Sequence, residues 1–318
     1  MKKLTRIIAK LWSQKNAGYT IMELLSVIMI SSIIGGAIMT SMTQLWRSDE
    51  TEIILTQTDG EMQSALEYLT KDLKEAVFVY EDTTQLFDPA KKYIPTGSQL
   101  GLDTNTKPIF AFWTAKIIPD EDLPSTCASD NIECNNLLVR RMAYSLVVYY
   151  QEPYTMNKNG QTYQKSRLHR YELPKYSDSK TLTKSNGFVD PGEENNFLIW
   201  PLNGNGSVNL QTIEPATTGK SAAMLLVDYV DNPAKTNVVN LPNCPDENYN
   251  RLPSDAATNN SFFICVRKTG EEVGKKQDIF LYLRGNPVGR GGIVKEEEII
   301  AMPTLKTQVT LRGIIDKK

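Results

Sequence analysis

The sequence predicts an α+β protein: a long N-terminal helix, membrane-spanning in its first half, packed on an antiparallel β-sheet globular domain. Three observations carry this. Leu24 to Trp46 contain no charge; Met62, Ala65, Leu66, Leu69, Leu73, Ala76 and Val77 recur at three and four residues; and short segments rich in aromatic and β-branched residues follow, bounded by Gly, Pro, Asn and Asp. Composition agrees. Over 318 residues, 41% hydrophobic and 23% charged is ordinary globular usage, which excludes collagen, low-complexity disorder and a multi-span membrane protein.

The chain opens with Lys2, Lys3, Arg6, Lys10 and Lys15 and no acid in its first 18 residues, so a formal charge of −2 overall becomes −7 for the remainder. A basic head on an acidic body fits a segment held on the cytoplasmic side of a membrane. It does not fit a nucleic-acid binder, whose basic patch belongs in the folded domain. The 23-residue uncharged run suffices to cross a hydrocarbon core of about 30 Å at about 1.5 Å per residue. A secretory signal would have a shorter apolar region ending at a small-residue cleavage site. A plain anchor leaves Glu23 unexplained, because a carboxylate at the start of an apolar span is costly and marks function by default.

From Glu61 onward the apolar recurrence, with Glu67, Lys71, Asp72, Lys74 and Glu75 between, predicts an amphipathic continuation of the helix to Tyr80–Asp82, with Pro89 as a firm stop. Gly35 and Gly36 lower helix stability by about 1 kcal/mol each relative to Ala, and read either as close helix packing or as a point where the helix stretches. Beyond residue 83, strands are expected at Ile109–Trp113, Met142–Tyr150, Leu168–Leu173, Ala223–Val230, Phe262–Arg267, Ile279–Arg284 and Gln308–Ile314. Few helical patterns separate them, so an antiparallel sheet is favoured over βαβ units. Residues 174–197 and 231–261 read as long polar loops.

Cys127, Cys134, Cys244 and Cys265 make an even count which, with translocation implied, favours two disulfides. Three connectivities are open. Cys127–Cys134 and Cys244–Cys265 are favoured because each pair lies in one local unit, and chain entropy assigns them about 2.5 and about 3.4 kcal/mol. Their spacings are not zinc-knuckle spacings, and no metal or cofactor is expected. The one histidine, His169, rules out a multi-histidine metal site and brings no nucleophile motif, so it reads as a surface or half-buried strand residue and no enzyme activity is expected. The glycine-rich stretch Gly285–Gly292 matches neither phosphate-loop frame and reads as a turn or flexible loop. Asp190–Asn196 and Asp246–Asn248 offer oxygen ligands without EF-hand spacing and read as solvated loops. Trp113 and Trp200 read as core, and Arg140–Arg141 and Lys275–Lys276 are too sparse for a DNA groove, so no nucleic-acid partner is expected.

Lys15-Asn16-Ala17-Gly18 followed by Tyr19-Thr20-Ile21-Met22-Glu23-Leu24-Leu25 resembles the class III signal of type IV prepilins and pseudopilins. The resemblance implies cleavage after Gly18 by a prepilin peptidase and methylation of the new amine on Tyr19. Glu23 then becomes the fifth mature residue and pairs with the N-terminal amine of a neighbouring subunit, since two charges that are each costly in lipid become tolerable together. Tyr19 stands where the family more often has Phe; both are aromatic. The implied organisation is a leader at 1–18, a transmembrane half-helix at 19–46, an amphipathic half-helix at 47–82 and an extracytoplasmic β-rich domain at 83–318.

Ala65–Leu73, Tyr144–Tyr150, Leu225–Val230, Leu281–Asn286 and Pro303–Val309 with Arg312-Gly313 are similar to the PilW-like minor pilins, in particular to the pseudopilins of cyanobacterial hormogonium polysaccharide secretion. This implies a low-copy subunit serving motility, surface polysaccharide export or both. Its partners would be the prepilin peptidase, other major and minor pilins and the inner-membrane assembly platform. It would reside in the cytoplasmic membrane, then in the pilus or pseudopilus. A tip adhesin, with the two long loops as contact surface, and a type II secretion-like minor pseudopilin are the alternatives.

Overall fold

The computed structural model describes residues 20–158, 160–193, 197–235, 242–255, 259–268, 277–291 and 302–311. The chain divides into two compact units, Met1–Glu52 and Ile53–Lys318. One helix, α1 (Ile21–Lys74), runs through the boundary.

In the first unit the helix side chains from Ile21 to Trp46 are exposed. The hydroxyls scattered through this apolar run bond back to the helix itself: Ser32 Oγ donates to the Met29 carbonyl (2.8 Å), and Thr40 Oγ1 and Ser41 Oγ both donate to that of Ala37 (2.9 Å). Polar groups satisfied this way ask nothing of a hydrocarbon surrounding. By length and composition α1 can cross a membrane.

In the second unit Ile54, Thr58, Met62, Ala65, Leu66, Leu69 and Leu73 form the buried stripe of α1. The helix ends at Lys74, several residues before the expected stop, and Ala76–Val79 becomes strand β1. Val77, Phe78 and Val79 are β-branched or aromatic residues that fit a pleated surface better than a helix. Val79 pairs with Phe112, Phe78 packs edge-on to Tyr80, and Ala76 and Val79 are buried.

The remaining strands are β2 (Lys107–Ile117), β3 (Met142–Lys158), β4 (Gln161–Pro174), β5 (Tyr176–Asp178), β6 (Thr183–Lys184), β7 (Met224–Asp231), β8 (Tyr249–Leu252), β9 (Phe262–Arg267), β10 (Asp278–Leu283) and β11 (Leu305–Thr310), with a short helix α2 (Ile132–Arg140) between β2 and β3. They form two antiparallel sheets, ordered β1-β2-β3-β4-β7 and β11-β10-β9-β8, and a small β5-β6 pair. A bridge between Val230 and Gly285 stitches the larger sheets together. Both sheets turn one face to α1, so Phe110, Tyr149, Leu168, Phe262, Ile264 and Leu281 share a core with the helix stripe. The opposite face of the first sheet is also buried, with Trp113, Val148, Tyr150 and Tyr171 covered by Leu86, Tyr93, Ile94 and Trp200. Burial on both faces explains why β2 reads as an unbroken apolar run instead of an alternating one.

Each expected strand is present, but β3 and β4 form a hairpin reaching well past Tyr150 and Leu168, and β1, β5, β6, β8 and α2 were not foreseen. The last expected strand lies at Leu305–Thr310; residues 312–314 lie outside the described residues. The two expected loops hold β5, β6 and β8.

Candidate assembly site

Gly18 and Tyr19 lie outside the described residues, and the description begins beside them. Thr20 caps α1: its Oγ1 accepts the Glu23 N–H at 3.3 Å, and its carbonyl accepts from Glu23 and Leu24 at 3.0 and 3.2 Å. Thr20-x-x-Glu23 is the spacing of a capping box, and a carboxylate in the first turn faces the positive end of the helix dipole. Glu23 is exposed and, among the described residues, makes no ion pair. The result is an unpaired anion at the head of an apolar helical surface on which Ile21, Met29 and Ile33 are 81%, 63% and 72% exposed. Such a surface demands lipid or neighbouring helices, and its one acid demands a cation.

Two buried-side ionic contacts hold α1 to its domain. Arg170 on β4 donates from Nε to Asp72 Oδ2 (2.8 Å) and from Nη1 to Glu172 Oε2 (2.6 Å), and Tyr149 Oη donates to Asp72 Oδ2 (2.6 Å). Lys116 completes the chain at 2.5 Å from Glu172. Burial works to raise the Glu172 carboxyl, but Arg170 and Lys116 outweigh it and hold the group below the ordinary carboxylate range. Lower on α1, Arg290 clasps Glu61 with both Nη atoms at 2.7 and 2.6 Å, and that hydrogen bonding lowers the Glu61 carboxyl. The turn that carries Arg290 approaches closely because Gly285 has no side chain: a Cβ there would stand 3.0 Å from both Met62 Cγ and Thr58 Cγ2. The glycine-rich stretch is thus a turn, as expected, and its first glycine is required by the passing helix; Gly292 lies outside the described residues.

Between the sheets sits a buried polar cluster that the sequence did not disclose. Arg284 Nε donates to Asp231 Oδ2 (2.8 Å), Asn286 Nδ2 donates to Asp231 Oδ1 (2.7 Å), and Lys165 Nζ reaches the Asn286 carbonyl (3.2 Å) over the Tyr229 ring. Burial pushes the Lys165 amine down to about 8.

The disulfides are Cys127–Cys134 and Cys244–Cys265, with Cα–Cα distances of 5.7 and 5.6 Å. The first fastens α2, and the second ties the segment before β8 onto the outer face of β9 beside Phe263 and Tyr282. His169 is buried, a correction to the surface or half-buried expectation; its Nε2 lies 2.8 Å from Glu152 Oε2. Trp113 and Trp200 meet edge to face in the second core. Asp190 is engaged by Lys175 Nζ at 2.7 Å, and Asp246 accepts the Asn248 N–H at 2.7 Å; residues 194–196 lie outside the described residues. Among the described residues no group of three or more His, Cys, Asp or Glu could hold a metal ion.

The architecture is pilin-like: a long apolar N-terminal helix followed by an antiparallel β-sheet domain. No family model, curated protein or solved structure matches the chain. A membrane-capable N-terminal helix with disulfides in the domain that follows is the arrangement of a single-pass protein with an extracytoplasmic domain. Of the residues singled out in the sequence, the four cysteines are brought together in pairs. The helix anchors Asp72–Arg170 and Glu61–Arg290 were missed. For the first of them, Arg170 and Glu172 spaced two apart within an otherwise apolar-rich strand were the available signal.

Proposed function

We propose that this chain is a minor pilin or pseudopilin, cut by a prepilin peptidase after Gly18 and N-methylated on Tyr19, that joins and primes or tips a type IV pilus-like filament serving motility, surface polysaccharide secretion or both. The observation that carries the reading is the continuity of α1: an unpaired Glu23 in its first turn, an exposed apolar run, and then a stripe sunk into the domain core, all in one unbroken helix. A filament subunit needs all three, since the apolar half waits in the membrane, the carboxylate sets register against a neighbour's amine, and the rooted half carries the head. A head of this size hinders lateral packing along a shaft, which favours a low-copy priming or tip position. The work is assembly, with no cofactor and no nucleic-acid partner; the partners are the peptidase, other pilins and the inner-membrane assembly platform.

A clean gene deletion tests this, with sheared major pilin and released polysaccharide measured from the same cultures. Loss of surface pilin identifies a priming subunit of the pilus; normal pilin with lost polysaccharide identifies a secretion pseudopilin. Both unchanged, with no adhesion defect, would remove the proposal.

A further inference from the structure

Helix α1 ends at Lys74, Ala76 pairs with Thr114, and β2 continues past that level to Ile117, where it pairs with Met142. The far end of the domain is therefore built by Ile117, Met142 and the excursion between them, residues 118–141. Ile117 and Met142 are 77% and 46% exposed. As directly opposed residues of an antiparallel pair their side chains are neighbours on one face. Helix α2 turns Cys134 and Leu137 inward and leaves Ile132 and Val139, two turns apart on its other side, 74% and 83% exposed.

The helix that displays Ile132 and Val139 is fastened at both ends. The Cys127–Cys134 bond fastens α2, Asn131 Oδ1 caps it by accepting the Cys134 N–H at 3.0 Å, and Arg141 closes it in the left-handed region at φ 52°. Arg141 Nη1 donates to Asp120 Oδ1 (2.7 Å), the Ile118 N–H to the Arg141 carbonyl (2.9 Å), and Tyr176 Oη to Glu133 Oε1 (2.8 Å). Side chains displayed on a pinned scaffold lose little freedom on binding. The rim is acidic. Asp120 and Glu133 are engaged by Arg141, Lys175 and Lys184, while Glu121, Asp122 and Asp130 make no ion pair among the described residues, against Arg140 as the one cation of the excursion in the same condition.

We infer that this end of the domain is a docking surface for a partner protein presenting an apolar ridge flanked by lysine or arginine. Charge complementarity selects that occupant and disfavours phosphate-bearing surfaces, whether lipid or nucleic acid. The inference stands on this surface alone and does not depend on the filament reading.

The test places a photoreactive benzophenone amino acid at Val139, at Ile117 or, as control, at the exposed Thr162 near the opposite tip of the β3–β4 hairpin, in the full chain in its own cells, with adducts digested and sequenced. The expected result is an adduct from 139 and 117, absent from 162, mapping to a partner segment with apolar side chains beside Lys or Arg. Adding Val139→Asp, at an exposed position that leaves the core untouched, should lower the adduct from 117 at least tenfold without changing the unfolding temperature. No adduct, an adduct to lipid, to a second copy of this chain or to an acidic segment would overturn the inference.

Discussion

Arg170 on β4 meets Asp72 in the last turn of α1 through two hydrogen bonds, Nε to Oδ2 at 2.8 Å and Nη2 to Oδ1 at 3.2 Å, with both side chains about nine-tenths buried. This fork fastens the end of the helix to the middle of a sheet, and it shares Arg170 with Glu172 and Glu172 with Lys116. Arg170→Met therefore strips two buried carboxylates of their main cation. Removing one member of a buried pair costs about 3–5 kcal/mol, so denaturant unfolding should show a loss in that range. A loss below 1 kcal/mol would mean that the fork contributes nothing beyond packing.

The same network sets an acid limit. Glu172 and Glu61 are both held below the ordinary carboxylate value of 4.5 in the folded protein. A depressed folded pKa stabilises fully above the unfolded value, and that contribution is lost as pH falls through the folded one. Stability should thus be insensitive to these groups above about pH 5 and decline below about pH 4.5. Thermal scans of the wild type and Glu172→Gln between pH 3 and pH 7 check this. The two curves should converge at the acid end, and a constant separation would contradict the assignment.

At Gly285 the backbone of the inter-sheet turn passes close against α1. Gly285→Val drives its side chain into Met62 and Thr58, and overpacking of this kind costs about 1–3 kcal/mol. Gly101, with nothing within 4 Å of its Cβ position but φ 74°, is the informative control: Gly101→Ala should cost only the backbone penalty of about 1 kcal/mol. Denaturant midpoints for the pair separate steric crowding from backbone strain.

The disulfides should differ in weight. Cys244–Cys265 closes a separation of 21 residues and Cys127–Cys134 one of 7, so chain entropy assigns about 3.4 and about 2.5 kcal/mol. Replacing each pair by alanine and comparing unfolding free energies should place the Cys244/Cys265 variant lower. The reverse order would show that fastening α2 matters more than loop length.

The parts of the fold legible in the sequence were those in which one physical demand dominates. Leu24–Trp46 carries no charge, the one pattern that makes a helix able to cross lipid, and the strand at Phe262–Arg267 announced itself through five apolar residues in a row, all of which are buried. Where two demands competed, the reading slipped. Ala76 to Val79 continue the helical apolar period and are also good strand formers, and the pairing with β2 decided the matter, which no local pattern reveals. The long β3–β4 hairpin was under-read because its outer half is only partly buried and carries mixed polar residues, although Gly160 between the two strands, at φ 76°, was a usable signal. The local cysteine pairs were legible because short separations leave little choice. Asp72 and Arg170 were not, since 98 residues of chain separate them and only the sheet brings them together.

Under the proposed function, Glu23 is the lever on assembly. Glu23→Ala should leave leader removal largely intact and reduce the chain's recovery in sheared filaments at least tenfold, because the apolar half-helix then has no anion to offer a neighbour's amine. Equal recovery of wild type and variant would remove the pairing role.

The mass of the N-terminal peptide of the chain purified from its own membranes decides whether the chain is processed as a pilin subunit. The expected peptide begins at N-methylated Tyr19, with residues 1–18 gone and Thr20 and Glu23 present. A chain that retains residues 1–18, or one cut beyond Trp46, would contradict that processing.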